Sequence, residues 1–276
     1  MQTVLRIAAR RWVIAALTLF AVIWLIPDLY MVSISLRTPV NAFDPHLLAF
    51  PLTIRNYWIV LTQNPLLRFF LNSLVVTAAT VVTVIGVASL CAYAISILRL
   101  RGSQAVFALL LVTLMVPLSA LVVPLAALLG RLGWINSYPG LIGPYSALGI
   151  PFAIVLFKAF LDDFPTDIHE AAMLDGCTTW QLYWRVVLPL LRPLIGFVGI
   201  WQFITSWNEF FLALVIMTRN PMKTLPLVPM EYSGMYMANP GALFAILCII
   251  ALPLILLYVL VQRVFVRGLL EGSVKG

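Results

Sequence analysis

Charged side chains are scarce in this 276-residue sequence, because Asp, Glu, Lys and Arg together make up only 10% of it. A soluble globular domain carries roughly 25% charged residues, and so few charges cannot cover a surface that faces water. The hydrophobic share of 63% therefore places the chain in a lipid bilayer. Its net charge of +7 fits anionic lipid head groups, and the scatter of the basic residues over helix ends argues against nucleic-acid binding.

Cysteine and histidine are also rare, with three and two copies. Cys91 and Cys248 fall inside apolar runs, so we expect inert thiols rather than a disulfide framework. His46 and His169 have no second ligand at metal spacing, and we assign no metal. No Ser-His-Asp or Cys-His set and no G-x-x-x-x-G-K-[ST] phosphate loop is apparent. The sequence therefore predicts no catalytic residues and no cofactor in this chain, and a membrane-embedded enzyme is disfavoured.

Six apolar runs are long enough to cross a bilayer, which takes about 20 helical residues. They cover roughly residues 12–33, 69–98, 105–129, 138–160, 186–217 and 242–264. Such continuous runs exclude the strands of a membrane β-barrel, which alternate over about 10 residues, whereas helices satisfy their own backbone groups in lipid. We predict an all-α polytopic membrane protein with six transmembrane helices.

The arginines provide two further expectations. Arg6, Arg10 and Arg11 precede the first run, which could be a signal peptide. No small-x-small site closes that run, and we interpret it as a retained membrane helix. Most of the 17 Lys and Arg residues fall in the termini and in the loops at 98–104 and 158–192. The positive-inside rule then predicts that both termini are cytoplasmic.

Polar side chains recur along one face of the fifth run. At intervals of three and four they are Gln202, Thr205, Ser206 and Glu209. A glutamate facing lipid costs about 2.5–3.5 kcal/mol, so Glu209 is expected to face a water-filled path or a partner. Asn208 lies near the edge of this face, and Asn72 lies beside a weaker polar stripe in the second run. We select Asn72, Gln202, Asn208 and Glu209 as candidate substrate-path residues, while the serines and threonines fit interhelical hydrogen bonding better.

The most polar internal segment, HEAAMLDGCTTWQLYWRVVLPLLRP, covers residues 169–193. Asp167 and Glu170 are spaced like a capping box, and Gly176 is a natural residue for ending a helix. We predict between them a short cytoplasmic helix of about two turns. Its alanines allow another surface to approach closely, and Glu170 offers a charge to a cation there. The segment is best explained as a docking element that receives motion from a nucleotide-binding protein.

Its residues resemble the EAA loop of bacterial ABC-importer permeases. The matching residues are Glu170, Ala171, Ala172, Asp175 and Gly176, followed by Val186, Leu188 and Pro189. Three further pieces, FFLNSLVV (69–76), SWNEFFLAL (206–214) and VFVRGLLEGSVKG (264–276), resemble the carbohydrate branch of that family, which includes the maltose-permease inner subunit. The resemblance covers nearly the whole chain.

The resemblance implies the type I ABC importer permease fold with a cytoplasmic coupling helix. It implies one transmembrane permease domain over residues 1–276, with a core at about 69–264, a cytoplasmic EAA loop at about 161–189 and a cytoplasmic tail at 265–276. The residues that would couple to an ATPase are Glu170, Ala171, Ala172, Asp175, Gly176, Ser273, Val274, Lys275 and Gly276.

The resemblance implies a complete transporter located in the bacterial inner membrane. It adds a second homologous permease, two cytoplasmic ATPase subunits that carry ATP and Mg²⁺, and an extracytoplasmic solute-binding protein. The cargo would be a sugar or a sugar-like solute, with simple sugars, amino sugars and glycerophospho-compounds all left open. The alternative is an ion-coupled secondary transporter with Glu209 as its proton site, which leaves the EAA helix unexplained.

Overall fold

The computed structural model describes the backbone of residues 2–163, 172, 174, 176–233 and 239–273, and within these ranges the side chains from residue 12 to residue 262. The helices in this part of the chain are α1 (Gln2–Ser35), α2 (Arg55–Gln63), α3 (Leu66–Ser96), α4 (Ser103–Thr113), α5 (Leu118–Arg131), α6 (Pro139–Asp162), α7 (Thr179–Leu190), α8 (Arg192–Trp207), α9 (Phe211–Ile216) and α10 (Pro240–Ser273). Short 3-10 turns occupy Pro39–Asn41, Asn220–Met222 and Leu225–Tyr232. An isolated bridge joins Arg37 and Leu52, and the described residues contain no strand.

Four of the described helices are long and apolar enough to cross a membrane. They are Trp12–Ser35, Leu66–Ser96, Pro139–Asp162 and Pro240–Gln262. Two bent pairs, α4 with α5 and α7 with α8, raise the number of spans to six if each pair counts as one. The prediction of an all-α polytopic protein is thus confirmed.

Two of the six runs are not single continuous helices. The third run bends by 105° between α4 and α5, where Pro117 has extended backbone angles and cannot donate a helical hydrogen bond. The fifth run bends by 72° at Leu191, beside Pro193 in the first turn of α8. The same run is interrupted again between Trp207 and Phe211, where α8 ends and α9 begins.

The chain divides into two compact units. The first comprises Met1–Leu66 and Val228–Pro253. Within it, the buried guanidinium group of Arg37 donates hydrogen bonds to the carbonyl oxygens of Asp44 and His46, each at 2.5 Å. The connection that follows α1 is therefore folded around a buried cation that is stabilised by hydrogen bonds to backbone carbonyl groups.

The second unit comprises Leu67–Leu227 and Leu254–Gly276, and it contains the candidate site. One of its apolar clusters joins α3, α6 and α7, and it contains fully buried alanines on α3 (Ala88, Ala92) and on α6 (Ala153). Small residues let membrane helices approach closely and gain dispersion contacts. A second cluster joins α5, α6 and α9, with Leu141 and Leu212 at its centre.

Candidate functional site

A cavity of about 240 Å³ in the second unit lies against α6 and α8. Its polar lining consists of Gln202, Thr205, Ser206 and Glu209, and the remaining lining residues are Leu118, Tyr145, Leu148, Gly149, Phe152 and Trp201. The cavity brings together the four polar residues that helical spacing places on one face. Their role in transport stays a prediction.

The carboxylate of Glu209 connects three helices of the second unit. Glu209 follows the last turn of α8. One of its oxygens accepts the N–H of Leu212 in α9 at 3.0 Å, and the other accepts that of Ala213 at 3.2 Å. The hydroxyl group of Tyr145, on α6, donates to the same carboxylate at 2.5 Å. Because the first N–H groups of a helix have no intrahelical acceptor, Glu209 caps α9 while it lines the cavity.

Gln202, on α8, lies against Gly149 of α6. Its side chain is buried, and its amide nitrogen donates to the hydroxyl oxygen of Ser206 at 2.9 Å. Gly149 lies directly opposite, and a Cβ atom at that position would overlap the amide of Gln202. Beside them the rings of Phe152 and Trp201 pack with their centroids 5.4 Å apart. The cavity therefore has a hydrogen-bonding side and an aromatic side.

Asn72 and Asn208 are not lining residues of this cavity. Asn72 is buried at the start of α3, where its amide nitrogen donates to the carbonyl oxygens of Pro221 and Lys223 at 3.0 and 2.9 Å. Its amide oxygen accepts a hydrogen bond from the hydroxyl group of Tyr138 at 2.8 Å. Asn208 is exposed, and its amide donates to the carbonyl oxygen of Ile204 at 3.0 Å. Their assignment to a substrate path stays a prediction.

Most of the predicted ATPase-coupling residues lie outside the described part of the chain. These are Glu170, Ala171, Asp175, Val274, Lys275 and Gly276, together with the side chain of Ser273. The predicted helix start near Asp167 lies outside it as well.

Gly176 and Ala172, which are described, form the end of the EAA segment. Gly176 has a positive φ of 79°, and the N–H of Cys177 donates to the carbonyl oxygen of Ala172 at 3.1 Å. This bond spans the glycine as in a Schellman motif, which confirms Gly176 as the residue that follows the helix. Ala172 is buried in the cluster of α3, α6 and α7, whereas the side chain of Leu174 is 89% exposed. Among the described residues of the segment, Ala172 thus packs into the permease and Leu174 is exposed.

The structure shows a capping box at the start of α7 that the sequence analysis does not predict. The hydroxyl oxygen of Thr178 accepts the N–H of Gln181 at 3.3 Å, and the amide oxygen of Gln181 accepts the N–H of Thr178 at 2.9 Å. The T-x-x-Q pattern at 178–181 is the sequence signal for this arrangement. The capping residue Thr178 lies two residues after Gly176 and directly before α7, so the EAA segment passes into α7 through a short, defined turn.

The family model of binding-protein-dependent transport system inner membrane components matches residues 85–271. This match covers more than half of the chain. The chain belongs to that family. The permease is 34% identical to the probable ABC transporter permease protein YurM of Bacillus subtilis, over 96% of this chain and 88% of that protein. It is 31% identical to the trehalose/maltose transport system permease protein MalG of Thermococcus litoralis, over 94% of each chain.

A solved structure shows the same fold. A chain of a bacterial ABC transporter involved in the import of the acidic polysaccharide alginate superposes with a TM-score of 0.78 and 22% identity, covering 90% of this chain and 93% of that chain. The permease is therefore a multi-pass membrane subunit of an ABC importer that depends on a solute-binding protein. Subunits of this kind are not enzymes, as the sequence indicates.

Proposed function

We propose that this permease forms, together with a second homologous permease, the translocation path for a sugar or sugar-like solute. The observation that carries the proposal is the cavity beside α6 and α8, where the amide of Gln202 and the carboxylate of Glu209 lie near the ring of Trp201. Amide, hydroxyl and carboxylate groups can hydrogen-bond sugar hydroxyls, and an aromatic ring can cover the apolar face of a sugar.

Two relatives support a carbohydrate cargo by the names they carry. One is the trehalose/maltose permease protein of Thermococcus litoralis, and another is the arabinooligosaccharides permease protein AraQ of Bacillus subtilis, which is 31% identical over 87% of this chain. The first experiment measures the melting temperature of the importer's own binding protein with different sugars. The sugar that binds should raise it, because a ligand stabilises the folded state to which it binds.

The cavity is tested by uptake of that sugar into proteoliposomes that contain the whole importer. Gln202→Ala removes the buried amide and is expected to weaken uptake modestly, by a few-fold. Gln63→Ala, at an exposed position at the end of α2, is the matched control and should leave uptake unchanged. Unchanged transport kinetics in Gln202→Ala would remove this residue from the path.

We further propose that two cytoplasmic ATPase subunits, carrying ATP and Mg²⁺, dock against the EAA segment, with both termini of the permease on the same cytoplasmic side. The exposed side chain of Leu174 supports this arrangement, because it projects from a segment that Ala172 attaches to the permease. Glu170 would meet a basic residue of the ATPase, and the tail at 273–276 would also contact the ATPase pair. Closure of the ATPases on ATP would then tilt the permease between its inward-facing and outward-facing states.

Co-purification of the ATPase with the permease tests the docking proposal. Glu170→Lys and Leu174→Asp should each reduce the ATPase recovered with the permease and reduce uptake. Leu132→Asp is the matched control, since Leu132 is also an exposed leucine but belongs to the loop after α5, which is predicted to lie on the opposite side of the membrane. Normal ATPase recovery and normal uptake in Glu170→Lys and Leu174→Asp would contradict the proposal.

A further inference from the structure

Two buried tyrosines connect α3 with α7. Tyr93 on α3 is 4% exposed and Tyr183 on α7 is 2% exposed, and their ring centroids are 5.5 Å apart. The hydroxyl group of Tyr93 donates to the carbonyl oxygen of Thr179, in the first turn of α7, at 2.9 Å. The hydroxyl groups of Tyr183 and Ser89 are hydrogen-bonded at 2.8 Å. Each tyrosine thus bonds to the helix opposite its own, and we call these four residues the tyrosine clasp.

The clasp lies next to the end of the EAA segment. Ala172 is buried in the same apolar cluster as Tyr93 and Tyr183. The turn at Gly176 and the capping box of Thr178 leave little slack between this segment and α7. Burial also makes the clasp costly to open, because a buried polar group that loses its partner costs about 1–3 kcal/mol. The end of the EAA segment, α7 and the second half of α3 are therefore one packed body.

At Tyr183, itself a residue of the clasp, the backbone of α7 departs from regular α-helical geometry. Tyr183–Val187 forms a π-helical turn, and the chain then bends by 72° between α7 and α8, at Leu191. A π-helical turn lengthens the spacing of hydrogen bonds and often marks a functional position in a helix. We therefore expect a displacement of α7 to be transmitted to α3 through side-chain contacts more directly than to α8 through the irregular, bent backbone.

We propose that the tyrosine clasp makes α3 move together with the EAA segment, so that Tyr93, Tyr183 and Ser89 are positioning residues for transport. This inference rests on the proposed docking of the ATPase at that segment. Motion delivered at the EAA segment passes through α7 and the two tyrosines to α3, which crosses the membrane as a continuous helix of 31 residues. Rigid-body movement of packed elements is an established way to couple distant sites.

The first experiment measures sugar imported per ATP hydrolysed by the complete importer in proteoliposomes. Tyr93→Phe and Ser89→Ala each remove one hydroxyl group and keep the bulk of the side chain or leave only a small gap. We expect the ATPase to remain bound and ATP hydrolysis to continue, while sugar imported per ATP falls several-fold. Tyr258→Phe, at an exposed tyrosine of α10, is the matched control and should keep the parent ratio. An unchanged ratio in both clasp variants would overturn the inference.

The second experiment tests whether α3 and α7 move as one rigid body. Spin labels at Leu100, in the turn after α3, and at Arg185, on α7, occupy exposed positions. They are introduced after replacement of Cys91, Cys177 and Cys248, the three native cysteines. With the clasp intact, the distance between the labels should be the same with and without ATP, and Tyr93→Phe should broaden its distribution.

The outcomes separate this inference from the proposal on which it rests. If the ATPase fails to co-purify even with the unaltered permease, the docking proposal is wrong. If the ATPase binds but the label distance in the unaltered background changes with ATP, the clasp does not hold α3 and α7 together and the inference is wrong.

Discussion

The hydroxyl group of Tyr145 on α6 donates a hydrogen bond to the carboxylate of Glu209, which follows α8. The same carboxylate receives the N–H groups of Leu212 and Ala213 in the first turn of α9. A single acidic side chain therefore fixes the positions of three helices around the cavity. Its oxygens are engaged in structural hydrogen bonds, which favours a capping role over that of an ion-coupling site.

Replacement of Glu209 should lower the thermal stability of the importer. Glu209→Ala leaves two buried N–H groups and the hydroxyl group of Tyr145 without their acceptor, and we expect a loss of about 1–2 kcal/mol by analogy with helix caps. Glu209→Gln keeps an accepting oxygen and should lose less. Thermal denaturation of the detergent-solubilised importer measures both, with Asn208→Ala as the neighbouring control. Equal melting temperatures for Glu209→Ala and the parent would show that the cap is not stabilising.

Glu209→Gln also distinguishes an ATP-driven importer from an ion-coupled transporter. Since the permease belongs to a binding-protein-dependent import family, uptake by Glu209→Gln should persist, should require ATP and should be insensitive to collapse of the proton gradient. Uptake that disappears in Glu209→Gln and in the absence of a proton gradient would instead identify this residue as a proton site.

Gly149→Ala should disturb the cavity directly. The new methyl group would overlap the amide of Gln202, so either that side chain rotates into the cavity or α6 and α8 separate. We expect a loss of uptake without loss of ATPase binding. Gly196→Ala, on α8, is the control because a Cβ atom there meets no neighbour within 4 Å, and alanine is the better helix former. Full uptake activity in Gly149→Ala would show that the close approach has no effect on transport.

Asn72→Ala should destabilise the second unit without changing which sugar is carried. The amide of Asn72 makes three hydrogen bonds, to the carbonyl groups of Pro221 and Lys223 and to Tyr138. These hydrogen bonds are part-buried, and the net loss is about 0.5–1.5 kcal/mol for each bond, so the expected result is a lower melting temperature. Thr83→Ala, at an exposed position of the same helix, should be neutral. A change in the relative rates of uptake of two sugars would instead support the substrate-path prediction for Asn72.

Thr178→Ala should weaken the start of α7. It removes one half of the capping box, for which about 0.5–2 kcal/mol is usual, and Thr178→Ser should restore most of the loss. Limited proteolysis at the EAA segment is the measurement, because fraying of α7 would expose that backbone. Equal cleavage rates for Thr178→Ala and Thr178→Ser would contradict a stabilising role for the capping box.

The sequence predicts well what depends on local pattern. Long apolar runs indicate the spans, since bilayer thickness sets their length. Helical spacing groups Gln202, Thr205, Ser206 and Glu209 on one face, and all four line the cavity. Gly176 is predicted from its place at the end of the EAA segment, because few residues other than glycine adopt a left-handed backbone without strain.

What the sequence does not reveal depends on contacts between distant segments. Tyr145 and Gly149 belong to α6, and only the packing of α6 against α8 shows that they meet Glu209 and Gln202. Prolines are visible in the sequence, but many membrane helices accept a proline with a mild kink. The degree of bending between α4 and α5 therefore requires the structure.

The sharp bend between α4 and α5 limits which surroundings this part of the chain can tolerate. Helix ends leave carbonyl and N–H groups without intrahelical partners, and here those ends fall inside an apolar run, close to the exposed side chain of Met115. Hydrocarbon tails offer no hydrogen bonds, so a polar backbone at this depth must meet protein or water. The N–H groups of Leu114, Met115 and Val116 donate to carbonyl oxygens three residues earlier, yet the bend still exposes more polar backbone than a continuous helix does. We therefore expect residues 114–117 to face another subunit or the solute path rather than lipid.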